Sequence, residues 1–361
     1  MAKIKVGVLG AGGMGETVIG HLKKCGHVGE IIAQDIRPER VAELRTKLTV
    51  KACVDPQEIF ADPAVPVVFI TAANGAHKEL ALASFAAGKA VMCEKPIATT
   101  LADSRLLVEE AERRKLYFQI GFELRYSKLY SIIKDWISAG LLGQVNNSQC
   151  NYICSEFHHK GSWRNQPETG GGMFGEKLSH YVDLPRWWIG GQVTEVTSYC
   201  SPNVIPYYQV RDNFHTSYRF DNGAVSHISF HMAVGATFDG DPLQDMLEKQ
   251  KDDGHALQYL IVGTRGAAAS DVFNRRLKRW EFGDSPKCLT STWVEDLSWS
   301  RGEDHAYFHS TEAQTNDIVR RVVAGLPPAT PARDALETMR VVEAAEKSAD
   351  EMRTVRIAEL R

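Results

Sequence analysis

Between Gly170 and Trp188 the chain reads GGGMFGEKLSHYVDLPRWW, which puts Glu176, Lys177, His180 and Asp183 within eight residues. A histidine, with an unperturbed pKa of about 6.5, is the side chain best suited to take a proton from an alcohol near neutral pH. On an α-helix, positions 176, 180 and 183 fall at i, i+4 and i+7 and share one face. Lys177 is rotated by about 100° from Glu176, but it lies three residues from His180 and borders the same face. A merely solvated face would carry outward i,i+4 ion pairs. Here Met173, Leu178, Tyr181, Leu184 and Trp188 make the rest of the helix apolar, so the polar face is read as a site. For His180 the competing reading is a satisfied core histidine. The run Gly170-Gly171-Gly172 permits close approach of a substrate or of another part of the chain.

A second group of residues has different chemistry. In VGVLGAGGMGETVIGHL, Gly10, Gly12 and Gly15 form G-x-G-x-x-G after a strand and at the opening of a helix, with Gly13 and Met14 inside the turn. Gly10 serves the tight turn, Gly12 lets backbone approach a pyrophosphate, and Gly15 allows helix and strand to pack, with the phosphate at the helix N-terminus. Asp35 follows at the end of the next strand, where a carboxylate binds a ribose 2′-hydroxyl. It would repel a 2′-phosphate, so NAD is expected over NADP. Ile36 and Arg37 complete this edge of the cofactor site, and Arg37 softens the preference.

The elements that must carry these groups fall into two regions. Up to about residue 120, short β-rich runs (IKVGVLG, EIIAQD, VPVVFITA, AVMCEKP, LYFQIGF) alternate with helical stretches such as HKELALASFAAGK and TLADSRLLVEEAERRK, the pattern of a parallel sheet. After Gly121 comes the helix SKLYSIIKDWISAGLLG, then longer β-runs: QVNNSQCNYICSE, TEVTSYCS, NFHTSYRFDNGAVSHISFHM and ALQYLIVGTRGA. Asn222-Gly223 between alternating runs is a hairpin signal, so antiparallel sheet is expected. DALETMRVVEAAEKSADEM is the last helix. With 361 residues, two domains are expected, 1–123 and 124–361.

Composition excludes several classes. A formal charge of −3 and a pI near 6.5 give no basic footprint for nucleic acid or an acidic membrane surface. No apolar run is long enough to span a bilayer, and the first residues read as a strand rather than a signal peptide. Seven scattered cysteines without zinc spacing point to a reduced, cytoplasmic protein. His158-His159 are adjacent and would point in opposite directions on a strand. With no third ligand at sensible spacing, no metal is expected.

CEKP at Cys93 to Pro96 follows a strand, ITAANGAHKELALASFAAGK precedes it, and QIGFELRYS, WRNQPETGGG and the histidine helix come after. In that order, from end to end, the chain resembles the Gfo/Idh/MocA family of sugar and cyclitol dehydrogenases. The resemblance implies a Rossmann domain followed by an α/β domain with a large, open, mostly antiparallel sheet. It further implies a substrate pocket between them and a homodimer or homotetramer built on the sheet.

The resemblance also implies roles. Lys95 matches a lysine that touches the nicotinamide ribose and the reacting hydroxyl, where an ammonium stabilises developing alkoxide. Glu94 lines the dinucleotide site. Thr71, Ala72, Asn74 and His77 match a cofactor-contacting loop, with a capping or core role as the other reading of His77. Arg125 and Tyr126 match a segment facing the pocket; a salt bridge is the other reading of Arg125. His180 matches the catalytic histidine. Four residues before it the family has aspartate where this chain has Glu176, which pairs with His180 or Lys95. Leu178 and Lys177 are further departures. Lys177 binds substrate, depresses the pKa of Lys95 by like-charge proximity, or pairs with Asp183. Asp183 is a partner of substrate or of His180, or else a buried structural carboxylate. Trp163 and Arg164 line the sugar site in family members, an aromatic face stacking on the C–H face of a pyranose; a core tryptophan is the alternative.

The expected activity is NAD-dependent oxidation of a secondary hydroxyl of a pyranose, glycoside (at C3, by analogy) or cyclitol. A redox-assisted glycosidase or epimerase holding NAD tightly, and a non-catalytic dinucleotide sensor, are the competing readings.

Overall fold

The computed structural model describes residues 3–154, 160–232 and 255–360. His158 and His159 therefore lie outside the described residues. The chain divides into two compact units. The first comprises residues 1–122 with 167–171 and 311–339, and the second comprises 123–166, 172–310 and 340–361.

The first unit is built on six parallel strands: β1 (Ile4–Leu9), β2 (Val28–Gln34), β3 (Lys51–Cys53), β4 (Val67–Ile70), β5 (Ala90–Cys93) and β6 (Phe118–Ile120), in the order β3-β2-β1-β4-β5-β6. Helices α1 (Gly13–Lys24), α2 (Pro38–Lys47), α3 (Gln57–Phe60), α4 (His77–Ala86) and α5 (Leu101–Arg113) alternate with them. β4 is buried along its whole length, as expected of a strand covered on both faces. β3 was not anticipated; three residues are too few to show periodicity. Val6, Val8, Val18, Ile19, Leu22, Val67 and Phe69 form the core, joined by Ile318 and Val319 from far along the chain.

In the second unit, α6 (Lys128–Ser138) leads into β7 (Val145–Ile153), followed by α7 (Pro167–Gly170, within the first unit), α8 (Ser179–Ile189), β8 (Val193–Tyr199), β9 (Asn213–Phe220) and β10 (Val225–His231). β11 (Ala256–Gly263), β12 (Gly266–Asp271), β13 (Arg276–Asp284), β14 (Leu289–Ser298) and β15 (Val355–Arg356) complete a nine-stranded sheet of order β14-β13-β12-β11-β7-β10-β9-β8-β15. Among the described residues its pairings are antiparallel except β7 with β10. Asn222-Gly223 turns the β9–β10 hairpin, Gly223 having φ +89°. β13 and β14 were not anticipated, because β14 is exposed along most of its length and lacks the apolar alternation that marks a strand. Helix α9 (Asp304–Tyr307) follows; α10 (Thr311–Ala324) belongs to the first unit, and α11 (Ala332–Glu351) begins in the first unit and ends in the second.

One face of this sheet is covered by α8. Trp188 is 1 % exposed and packs edge-on to Tyr259, with Tyr130 beside both. Such aromatic pairs add about 0.5–1.5 kcal/mol each beyond the area they bury. This cluster fixes the depth at which the α8 side chains sit. On the sheet's other face an open groove of about 1060 Å³ is bordered by Gln149, Asn151, His227, Gln258, Lys278 and Trp280.

Candidate active site

The glycine turn is held by contacts that no larger residue would allow. Gly10 has φ +85°, and a Cβ there would lie 2.4 Å from the Ala72 Cα. A Cβ on Gly15 would lie 2.4 Å from the Gly10 carbonyl oxygen and 2.9 Å from Thr71 Oγ1. Thr71 Oγ1 donates to that same carbonyl at 2.7 Å. On Gly12 or Gly13 a Cβ would meet nothing within 4 Å. Gly12 is the N-cap of α1 and no side chain caps it. The first amides of α1, with Met14 beside them, therefore border open space, which fits an anionic pyrophosphate. Arg40, which the sequence did not single out, braces the loop by donating from Nε to the Ala11 carbonyl at 2.7 Å.

Asp35, 5 % exposed, lies just beyond β2. Its Oδ1 accepts from the Arg37 amide at 3.1 Å and Arg37 Nε at 2.9 Å, and its Oδ2 from Arg37 Nη2 at 3.2 Å. Burial disfavours ionisation, but the guanidinium and amide of Arg37 outweigh it and hold the carboxyl below its ordinary range. The result is a carboxylate acceptor ionised near neutral pH. Ile36 beside it is 80 % exposed.

Lys95 follows the C-terminal end of β5, half-buried, and the Lys95–Pro96 peptide is cis. Glu94 before it is buried, and a Cβ on Gly121 would lie 2.8 Å from its Oε2. His77 is fully buried, with Nδ1 2.8 Å from the Pro96 carbonyl and Nε2 3.1 Å from the Ala72 carbonyl. Burial pushes its pKa down despite both contacts. This geometry suits the core reading of His77, with the ring set between the loops after β4 and β5. Asn74, also buried, donates to the Gly170 carbonyl at 2.9 Å.

The helix carrying His180 departs from expectation. Phe174–Leu178 winds as a π-helix, and α-helical winding begins only at Ser179. With i→i+5 bonding the α-helical stacking of 176 over 180 is lost, so the single face inferred from spacing is corrected. Each charged side chain has its own partner. Glu176, buried, accepts from Arg164 Nε at 2.9 Å. Arg164 in turn lies over the ring of its half-buried neighbour Trp163, 4.5 Å from the centroid. Lys177 Nζ stands 5.4 Å from the Tyr152 ring centroid.

Asp183 accepts two hydrogen bonds from Arg125, from Nε and Nη2, each at 2.6 Å, and the side chains are 2 % and 9 % exposed. That bidentate geometry suits the buried-carboxylate reading of Asp183 and the salt-bridge reading of Arg125. Tyr126, half-buried, ends the same short turn. His180 is 5 % exposed, and its Nε2 lies 3.2 Å from Glu123 Oε2. Nothing local in QIGFELRYS distinguishes Glu123 from an ordinary carboxylate.

The arrangement offers a buried carboxylate after β2 and open space at the first amides of α1 in one unit, and a buried histidine–carboxylate pair in the other. Residues 4–122 match the model of the oxidoreductase family's NAD-binding Rossmann fold, and residues 134–357 match that of its C-terminal α/β domain. The myo-inositol 2-dehydrogenase of Thermotoga maritima is 24 % identical over 99 % of both chains. The inositol 2-dehydrogenase of Salmonella typhimurium is 32 % identical over 54 % of this chain and 57 % of its own. A solved levoglucosan dehydrogenase in complex with NADH and levoglucosan shares the fold, with a TM-score of 0.79 at 20 % identity over 98 % of this chain and 99 % of that one. The chain belongs to the Gfo/Idh/MocA family of NAD-binding oxidoreductases.

Proposed function

We propose that the protein is a dehydrogenase that oxidises a secondary hydroxyl of a pyranose sugar, glycoside or cyclitol, with NAD preferred over NADP. The observation that carries this reading is His180, buried on α8 with its imidazole held against Glu123. A proton acceptor so oriented suits an alcohol that must lose its proton as a hydride leaves. The names of relatives, two inositol dehydrogenases and a levoglucosan dehydrogenase, support a polyhydroxylated ring as substrate.

When bound, NAD supplies a hydride acceptor at the nicotinamide. Gly12, Gly13 and the α1 amides would hold its pyrophosphate, and Asp35 its ribose. In this reading His180 takes the hydroxyl proton and Lys95 stabilises the alkoxide with its ammonium. Trp163, Arg164, Lys177 and Tyr126 supply the polar and aromatic contacts suited to a sugar ring, and Glu176 orients Arg164. Oxidation at C3 of a glucoside is the specific form we favour. The open face of the nine-stranded sheet is the surface we assign to a homodimer or homotetramer.

The test is NADH formation from a panel of monosaccharides, glycosides, anhydrosugars and inositols, with NAD and NADP in parallel. Turnover of at least one ring polyol with NAD is expected. No turnover across the panel would refute the reading.

A further inference from the structure

Glu123 opens the turn before α6 and is 5 % exposed. Its two carboxylate oxygens face two different histidines. Oε2 lies 3.2 Å from His180 Nε2, and Oε1 lies 2.8 Å from His309 Nδ1. His180 is as buried as Glu123, whereas the His309 side chain keeps 21 % of its surface in water. The contact is built in from both sides. Ser127, fully buried, donates from Oγ to the Phe308 carbonyl, tying the end of this turn to the segment that carries His309. The Phe308 and His309 rings pack edge to face with centroids 4.1 Å apart.

The ionisable side chains on α8 and on the elements packed against it make contacts of their own. Asp183, on the same helix, is clasped by Arg125, with Arg186 3.9 Å away. Glu176 is held by Arg164, Lys177 stands over Tyr152, and Lys134 donates to the Trp187 carbonyl. On α6, α8 and β7, burial pushes the phenols of Tyr130, Tyr152 and Tyr181 well above their ordinary range. It raises the Cys154 thiol to about 11 and that of Cys150 to about 12. These five stay neutral near pH 7 and add no charge that changes there.

We propose that Glu123 is the positioning residue of His180, and that His309, sharing its carboxylate, tunes the pH range in which His180 works as a base. The proposal rests on the reading of His180 given above. With Nε2–H donating to Glu123, the lone pair of the neutral imidazole is on Nδ1, and that atom takes the hydroxyl proton. The electron pair left on oxygen becomes the second carbonyl bond as the hydride departs. The carboxylate holds this tautomer and stabilises the imidazolium, the division of labour of a carboxylate–histidine pair. Protonation of His309 places a second positive charge on the same carboxylate and weakens its hold on the His180 imidazolium.

Two full-length variants test this. Glu123→Gln preserves size and removes charge. It is expected to move the acid limb of the kcat/KM profile to lower pH by about one unit or more and to lower kcat on the order of 10²-fold. His309→Gln keeps a hydrogen-bond donor but cannot titrate. Histidine-resolved NMR titration of the substrate-free protein should then show His180 changing from a coupled, two-step curve to a single step. An acid limb unmoved in Glu123→Gln, or a His180 titration unchanged in His309→Gln, would overturn the proposal. The titrations need no substrate. An inactive protein with coupled histidines counts against the proposed function alone, and an active enzyme with uncoupled histidines counts against the positioning role alone.

Discussion

The glycine turn after β1 and the helix 174–189 are the two regions we propose as ligand sites, and they are made by opposite means. The turn consists of backbone: its shape comes from absent side chains, and its partners come from neighbouring parts of one parallel sheet and its helices, namely Gln34 of β2, Arg40 of α2, and Thr71 and Ala72 just after β4. The helix consists of side chains whose charges are each satisfied from a distance. Arg125 is 58 positions from Asp183, and His309 is 186 positions from Glu123. A backbone turn braced by its own sheet suffices for an anion cradle, whereas an oriented proton acceptor needs a packed core to hold its partner.

That contrast sets the order of expected effects. The largest belongs to the buried pair on the helix. Arg125→Met removes the two hydrogen bonds to a carboxylate that is 2 % exposed and should cost about 3–5 kcal/mol of stability, read as a lowered urea midpoint. A loss below about 1 kcal/mol would mean that Asp183 does not depend on Arg125, with Arg186 3.9 Å away as the remaining cation.

The turn is probed by two substitutions of the same chemistry. Gly15→Ala forces a Cβ against the Gly10 carbonyl and should destabilise by about 1–3 kcal/mol. Gly12→Ala meets open space, so its stability should stay within about 0.5 kcal/mol of the parent while NAD affinity, measured by calorimetry, drops about tenfold or more. A tenfold change is about 1.4 kcal/mol. Equal stability losses in the two would contradict the assignment of open space at Gly12 to a pyrophosphate.

The smallest effect lies where the helix begins. Glu346 on α11 accepts from the Phe174 amide, and a Cβ on Gly172 would lie 2.9 Å from its Oε1. Burial pushes its carboxyl up to about 7, against the pull of Arg211 and with Asp350 and Glu343 reinforcing the rise. A folded-state value above the unfolded one means that the native protein holds a proton the unfolded chain has lost. This contribution is complete below the unfolded pKa of about 4.5 and is lost as pH rises through 7. Glu346→Gln keeps an acceptor for Phe174 and should flatten the decline in thermal stability between about pH 5 and pH 8. The expected difference is about 1–2 kcal/mol, below the full shift because the side chain keeps 28 % of its surface in water. An unchanged slope would remove Glu346 from the helix cap.

The same contrast explains how much was legible in the chain. Glycine spacing and the carboxylate after β2 are local, so the fingerprint, Asp35 and the parallel sheet could be read directly, as could the Asn222-Gly223 hairpin. Family resemblance extended this to the antiparallel second domain. Counting at α-helical spacing placed Glu176 above His180, but periodicity assumes 100° per residue and cannot register a π-wound segment. Glu123, His309 and Arg40 escaped because nothing at their own positions marks them; only folding gives each its partner. His77 was open to two readings for the converse reason: its place beside the cofactor loop suggests contact, while only the folded chain shows its ring buried between the Pro96 and Ala72 carbonyls.

The central claim is that His180 is the proton acceptor in an NAD-linked oxidation. Its most direct test is NADH formation by His180→Ala with the best ring polyol found for the parent enzyme, alongside NAD affinity measured by calorimetry. The account predicts a fall in kcat of about 10²–10⁴-fold with NAD affinity unchanged. Turnover at the parent rate in that variant would contradict it.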